Sequence, residues 1–172
     1  MTAQDVAGAV AHRKVVVGIA DLKFSTDPAE SIITYALGSC LGVTVYDPTA
    51  RIGGMLHLML PESTIDPSKA AENPYRFVDT GIPLLFKGAY KLGADKTRLI
   101  VKVAGGANPL GGGDHDYFQI GRRNMTALRK LLFRNGVLIK AEDTGGSDSR
   151  TMTLDVATGA VMLRLPDGEH AL

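Results

Sequence analysis

An α+β fold is predicted for this 172-residue chain from three observations. Apolar runs of strand length, bounded by turn residues, lie toward both ends; two segments between them carry apolar residues at helical spacing; and no repeat, linker or low-complexity block divides the sequence. Together they predict a sheet core of about nine strands flanked by two main helices.

Residues 1–13 are rich in Ala and Gly and are expected to form a flexible N-terminal segment, with a single domain over 14–172. Residues 14–21 read as the first strand and 31–35 as the second. Residues 41–46 alternate with period two, 47–51 carry turn chemistry, and 52–60 continue as an apolar run ended by Pro61, which predicts a hairpin. A polar loop is expected over 62–73. Phe77, Val78, Ile82, Leu85, Phe86, Ala89 and Leu92 then recur at helical spacing up to Gly93. Pro83 fits that helix if Asp79 or Thr80 caps a fresh start. Residues 97–103 read as a strand leading into a glycine-rich stretch, 104–114. Ile120, Asn124, Ala127, Leu128, Leu131 and Leu132 mark one face of the second helix, with Gly136 as its stop. A strand over 137–141, a loop over 143–147 and a closing hairpin of 151–156 with 160–165 complete the chain.

A composition 45% hydrophobic and 22% charged fits a soluble globular domain. With a net charge of +1 and nineteen scattered basic residues, nucleic acid is not expected as a partner. No apolar stretch approaches the roughly 18 residues needed to cross a bilayer, so no membrane insertion is expected. No secretory signal is visible, and one cysteine cannot form an internal disulfide, which together predict a cytoplasmic setting.

That cysteine, Cys40, stands in Leu37-Gly38-Ser39-Cys40-Leu41-Gly42, where small residues leave backbone and thiol open to approach. His57 follows on the next apolar run. If the hairpin turn centres near Pro48 and Thr49, antiparallel pairing sets Cys40 opposite His57, with Cβ atoms roughly 5 Å apart. A thiol and an imidazole at that distance can share a proton, as a nucleophile and its base must. A register shifted by one residue would separate them, and Gly53-Gly54 could hold a bulge that resets it. The corner at 37–39 could fold the strand of Thr34 back beside His57, where its hydroxyl would orient one ring nitrogen. The amides of Gly38, Ser39 and Cys40 are candidate donors to an oxyanion. On spacing alone the same residues also fit a buried structural cysteine and an interior histidine.

The wider sequence resembles a known family, the chemoreceptor glutamine deamidases called CheD. The likeness is carried by Leu37-Gly38-Ser39-Cys40-Leu41-Gly42-Val43 with Tyr46-Asp47, by Gly53-Gly54-Met55-Leu56-His57-Leu58-Met59-Leu60-Pro61, and by Tyr75 with Asp79. Lys102-Val103-Ala104-Gly105-Gly106-Ala107, Ile120-Gly121-Arg122-Arg123-Asn124 and Asp143-Thr144-Gly145-Gly146 with Arg150 extend it to residue 165. Leu56, where the family commonly has alanine, and the glycine-rich Asn108-Pro109-Leu110-Gly111-Gly112-Gly113-Asp114 are departures. The resemblance implies an α/β sandwich with mixed or antiparallel sheets, similar to cytotoxic necrotizing factor-like cysteine hydrolases. It implies Cys40, His57 and Thr34 as the catalytic residues, with Gly38 and Ser39 positioning substrate. The implied reaction converts selected glutamines of methyl-accepting chemotaxis proteins to glutamate through a thioester, with no metal or cofactor, and extends to glutamyl methyl esters. CheC phosphatase is an implied partner, and a receptor helix is expected across a groove rimmed by the Cys40 loop and residues 104–118.

Two other classes remain at this level. One is a non-catalytic module that binds receptors or CheC, and the other is a different amidase or a transglutaminase. Glycines at 105–106 and 111–113 lack the lysine of a phosphate-binding loop. Asp114-His115-Asp116 matches metal ligands in residue type alone. The arginines and lysine of the second helix read as a solvated face.

Overall fold

The computed structural model describes residues 12–110 and 118–172. The expectations for residues 1–11 and 111–117, including Asp114-His115-Asp116 and the tip of the proposed substrate groove, lie outside the described residues. Ten strands and three α-helices are described, in the order β1 (Arg13–Val17), β2 (Asp21–Ser25), β3 (Glu30–Leu37), β4 (Leu41–Asp47), β5 (Ile52–Leu58), α1 (Pro67–Glu72), α2 (Val78–Lys91), β6 (Ile100–Gly105), α3 (Ile120–Arg134), β7 (Ile139–Thr144), β8 (Arg150–Asp155), β9 (Val161–Leu165) and β10 (Gly168–Ala171). They form two mixed five-stranded sheets, β1-β3-β8-β9-β10 and β2-β5-β4-β6-β7. The fold is thus α+β, with the two sheets packed as a sandwich.

Side-chain alternation decides the layering. Ile32, Leu37, Met152, Leu154 and Leu163 of the first sheet meet Tyr46 and Met55 of the second. On the second sheet's other face, Leu41, Val43, Val45, Leu56 and Leu58 pack under Ile82, Leu85 and Phe86 of α2 and Leu128 and Leu132 of α3. Strands β4 and β5 are therefore buried on both faces throughout their length. Fully covered strands lose polar alternation and read as continuous apolar runs, as 52–60 does.

Four expectations are corrected. The hairpin pairs Asp47 with Ile52 and Leu41 with Leu58, so its turn centres between Thr49 and Ala50, and Cys40 does not stand directly opposite His57. Gly53-Gly54 forms no bulge; a Cβ at Gly54 would fall 2.6 Å from Phe24, as one at Gly88 would fall 2.4 Å from the same ring, so these glycines make a slot for Phe24 between β5 and α2. Strand 14–21 stops at Val17, and the chain crosses to the other sheet through Gly18 and Ala20 (φ 52°) to form β2 against β5. Neither Asp79 nor Thr80 caps α2. Phe77 is its N-cap residue, Asp79 accepts from the amide and hydroxyl of Ser63, and Pro83 stands in the second turn, where it gives no amide to the Asp79 carbonyl. Gly136 (φ 64°) does end α3, its amide bonding Phe133 and the next amide bonding Leu132.

Asp47 holds the far end of the hairpin. Its fully buried carboxylate accepts from the amides of Thr49, Ala50 and Asp95 and from two nitrogens of Arg98 (3.1 and 2.9 Å). These donors hold its pKa far below the usual carboxylate range, against the opposing pull of burial. Asp47→Ala strands the donors, so a loss of about 3 kcal/mol is expected in a urea melt, read as a lowered midpoint at unchanged slope.

Candidate active site

His57 is on the face of β5 that looks toward the first sheet, and its two cross-strand neighbours leave it unobstructed. One is Gly42, which has no side chain. The other is Asp21, whose carboxylate accepts from the amides of Gly18 and Leu22. Across the sandwich, Thr34 of β3 reaches it: Thr34 Oγ1 is 2.8 Å from His57 Nδ1, and both residues are buried. The same hydroxyl is 2.8 Å from the Val17 carbonyl, which can only accept. A hydroxyl has one hydrogen, so Thr34 donates to Val17 and accepts from Nδ1–H. In the neutral imidazole the lone pair is then on Nε2, which is buried and has no hydrogen-bond partner among the described residues. Burial pushes the His57 pKa down to about 4, so the ring is neutral near pH 7.

Cys40 immediately precedes β4. The hairpin register is two residues from the sequence expectation, and a shift of two keeps the face. Cys40 accordingly packs, half-buried, against the inter-sheet cluster on the side His57 occupies. No hydrogen bond joins the two side chains. Burial raises the thiol pKa, partly offset by the residue's own backbone amide. Both groups are therefore neutral near pH 7, a thiol and an imidazole on one face of the hairpin.

The loop at 38–40 is fixed from several directions. Gly106 N–H donates to the Cys40 carbonyl and Ala107 N–H to the Gly38 carbonyl, both at 2.8 Å. A Cβ at Gly105 (φ 112°) would fall 2.2 Å from the Cys40 carbonyl oxygen, which explains a glycine there without any phosphate. Behind this, the buried Arg150 bonds Asp143 and the carbonyls of Asp148 and Gly145, holding the 145–148 turn whose Gly146 carbonyl accepts from Asn108. The Gly38 amide is not free as the sequence reading expected, because it donates to the Ala36 carbonyl (3.0 Å). Among the described residues, the Ser39 and Cys40 amides meet no backbone carbonyl.

A family model described as CheD chemotactic sensory transduction matches residues 59–165. The probable chemoreceptor glutamine deamidase CheD 1 of Syntrophus aciditrophicus is 48% identical over 90% of this chain and 95% of its own length. This chain belongs to the CheD family. The probable chemoreceptor glutamine deamidases CheD of Solibacter usitatus (48% identical, covering 88% of each chain) and Pyrococcus abyssi (43%, 88% of this chain and 91% of the relative) show the same likeness across bacteria and an archaeon. The span matched by the CheD model contains the Gly105 and Gly106 staples, Asn124 and Arg150.

One buried polar residue beside the site was given no role by the sequence. Asn124 was legible on the second helix's buried face and in the Ile120-Gly121-Arg122-Arg123-Asn124 segment of the family likeness, with no role attached; it is the polar residue on that face, and a fully buried asparagine in an apolar stripe is itself a signal. Its Nδ2 donates to the Ser39 carbonyl (3.0 Å) and the Met59 carbonyl (2.9 Å).

Proposed function

We propose that this CheD-family chain is a cysteine amidohydrolase that converts glutamine side chains of chemoreceptor cytoplasmic helices to glutamate. The observation that carries this reading is the unpartnered Nε2 of His57, held in its proton-accepting tautomer by Thr34 on the face shared with Cys40. The names of the relatives supply the substrate class.

In this reading Nε2 removes the thiol proton as Cys40 Sγ attacks the carboxamide carbon, so no standing ion pair is needed. The developing oxyanion meets the Ser39 and Cys40 amides. His57, now carrying a proton on Nε2, gives it to the departing ammonia and leaves a glutamyl thioester. Nε2 then takes a proton from water, whose oxygen attacks the thioester carbonyl; the carbon–sulfur bond breaks, the thiol is regenerated and glutamate is released. Methyl esters fit the same route, with methanol as the leaving group. Thr34 keeps Nδ1 as the donor throughout, so the ring turns over without losing its orientation. The reaction is placed in the cytoplasm with the receptor tails, and CheC is the regulatory partner this reading includes.

The test incubates the purified chain with receptor cytoplasmic fragments and follows glutamine-to-glutamate conversion by peptide mass spectrometry. Conversion at discrete glutamines is expected. Tight binding without conversion would favour the non-catalytic module, and cross-linking of added primary amines would favour a transglutaminase.

A further inference from the structure

We infer that Asn124 is a positioning residue that aims the Cys40 backbone amide at the oxyanion by anchoring the Ser39 carbonyl, and sets the spacing between the nucleophile loop and the histidine strand. This deepens the proposed hydrolase reading and rests on it.

Both carboxamide bonds of Asn124 serve the site. Ser39 immediately precedes Cys40, and Met59 follows His57 by two residues, so one side-chain nitrogen bridges the backbone beside the nucleophile to the backbone beside the base. The carboxamide has one workable orientation. Turned over, its oxygen would face two carbonyls with no hydrogen between them. Asn124 Oδ1 is buried without a hydrogen-bond partner among the described residues, a cost that an apolar residue serving packing alone would not incur.

The backbone consequence follows from peptide geometry. A trans peptide is planar, with C=O and N–H pointing in opposite directions. Fixing the Ser39 carbonyl toward α3 therefore turns the Cys40 N–H away from the helix. That amide meets no backbone carbonyl among the described residues and belongs to the nucleophile's own residue, so it is the donor nearest in the chain to an attacked carbonyl. Helix α3 comes close enough for this because Gly121, one turn earlier, has no side chain: a Cβ there would fall 2.4 Å from the Gly106 carbonyl oxygen. Gly106 in turn holds the Cys40 carbonyl, so each of the two peptides flanking the nucleophile has its carbonyl fixed by a separate donor.

The test uses Asn124→Leu, which is close in size and removes the one donor shared by the Ser39 and Met59 carbonyls, with circular dichroism and thermal melting as fold controls. Two rates are read: deamidation of a receptor fragment, and alkylation of Cys40 by iodoacetamide, which consumes the sulfur without forming an oxyanion. Loss of an oxyanion donor typically costs about 100 to 1,000-fold. The expected result is a fall of that order in kcat, with KM and alkylation rate near wild type. A normal kcat would overturn the inference. So would an alkylation rate that falls in step with kcat, because the residue would then act on the thiol itself. If the leucine variant does not fold, the same two rates on Asn124→Ala decide it. A wild-type chain that is alkylated but never deamidates refutes the underlying hydrolase reading, which the variant comparison alone does not.

Discussion

Cys40→Ala is expected to abolish glutamine conversion while leaving the fold intact. The substitution removes one sulfur from a half-buried position at the edge of the inter-sheet cluster, so the packing cost is small. The chemical cost is the whole covalent route. Loss of a nucleophile from a concerted set typically lowers kcat by on the order of a million-fold. Cys40→Ser is expected to be nearly as inactive, because the orienting partner of His57 is a hydroxyl rather than a carboxylate. Such a ring is a weak base, sufficient for a thiol, even one whose pKa burial raises, and insufficient for an alcohol. Peptide mass spectrometry on both variants, with receptor binding checked in parallel, reads this. Substantial conversion by Cys40→Ala would mean that His57 activates water directly.

The second large effect concerns His57 and pH. His57→Gln keeps a polar side chain in the cavity but removes the proton acceptor, and loss of a general base commonly costs about 100 to 10,000-fold. The wild-type profile carries a more particular signature. Because burial lowers the His57 pKa to about 4, its base form persists well below the ordinary histidine range. The acidic limb of kcat/KM is therefore expected near pH 4 to 5. A limb at pH 6 to 7 would show a solvated imidazole, whose ordinary pKa is about 6.5.

Stability follows the same sign. The folded chain binds this proton less readily than the unfolded chain, so the contribution is full above pH 6.5 and is lost as pH falls toward 4. Its size is on the order of 3 kcal/mol. Melting temperatures of wild type and His57→Gln across that window are expected to converge at the acidic end.

Much of this site was legible because strand parity tolerates some error. The turn of the β4–β5 hairpin was read as centred near Pro48 and Thr49, and its true centre moves every pairing by two residues. A shift of two leaves side chains on the same faces, so Cys40 and His57 still share a side although they are not opposite one another. The Thr34 contact joins β3 of one sheet to β5 of the other, and periodicity carries no information about which strands stack; the 37–39 corner hinted at it and the family resemblance supplied the role. Short β2 was missed because five residues after an unrecognised crossing give too little alternation to read. Pro83 misled because local rules place proline in a first turn, whereas α2 is held by burial of Val78, Ile82, Leu85 and Phe86 beneath β4 and β5. The contacts of Asn124 were not legible because the two backbone carbonyls it bonds are distant in sequence from it.

The central claim is that Cys40 becomes acylated by the receptor glutamine. Acid quenching of wild-type turnover, followed by intact-mass and peptide mapping, tests it most directly. The expected species is a receptor peptide joined to Cys40 with loss of ammonia, sensitive to hydroxylamine and absent from Cys40→Ala. Undiminished glutamate formation by Cys40→Ala, with no adduct on the wild-type chain, would contradict it.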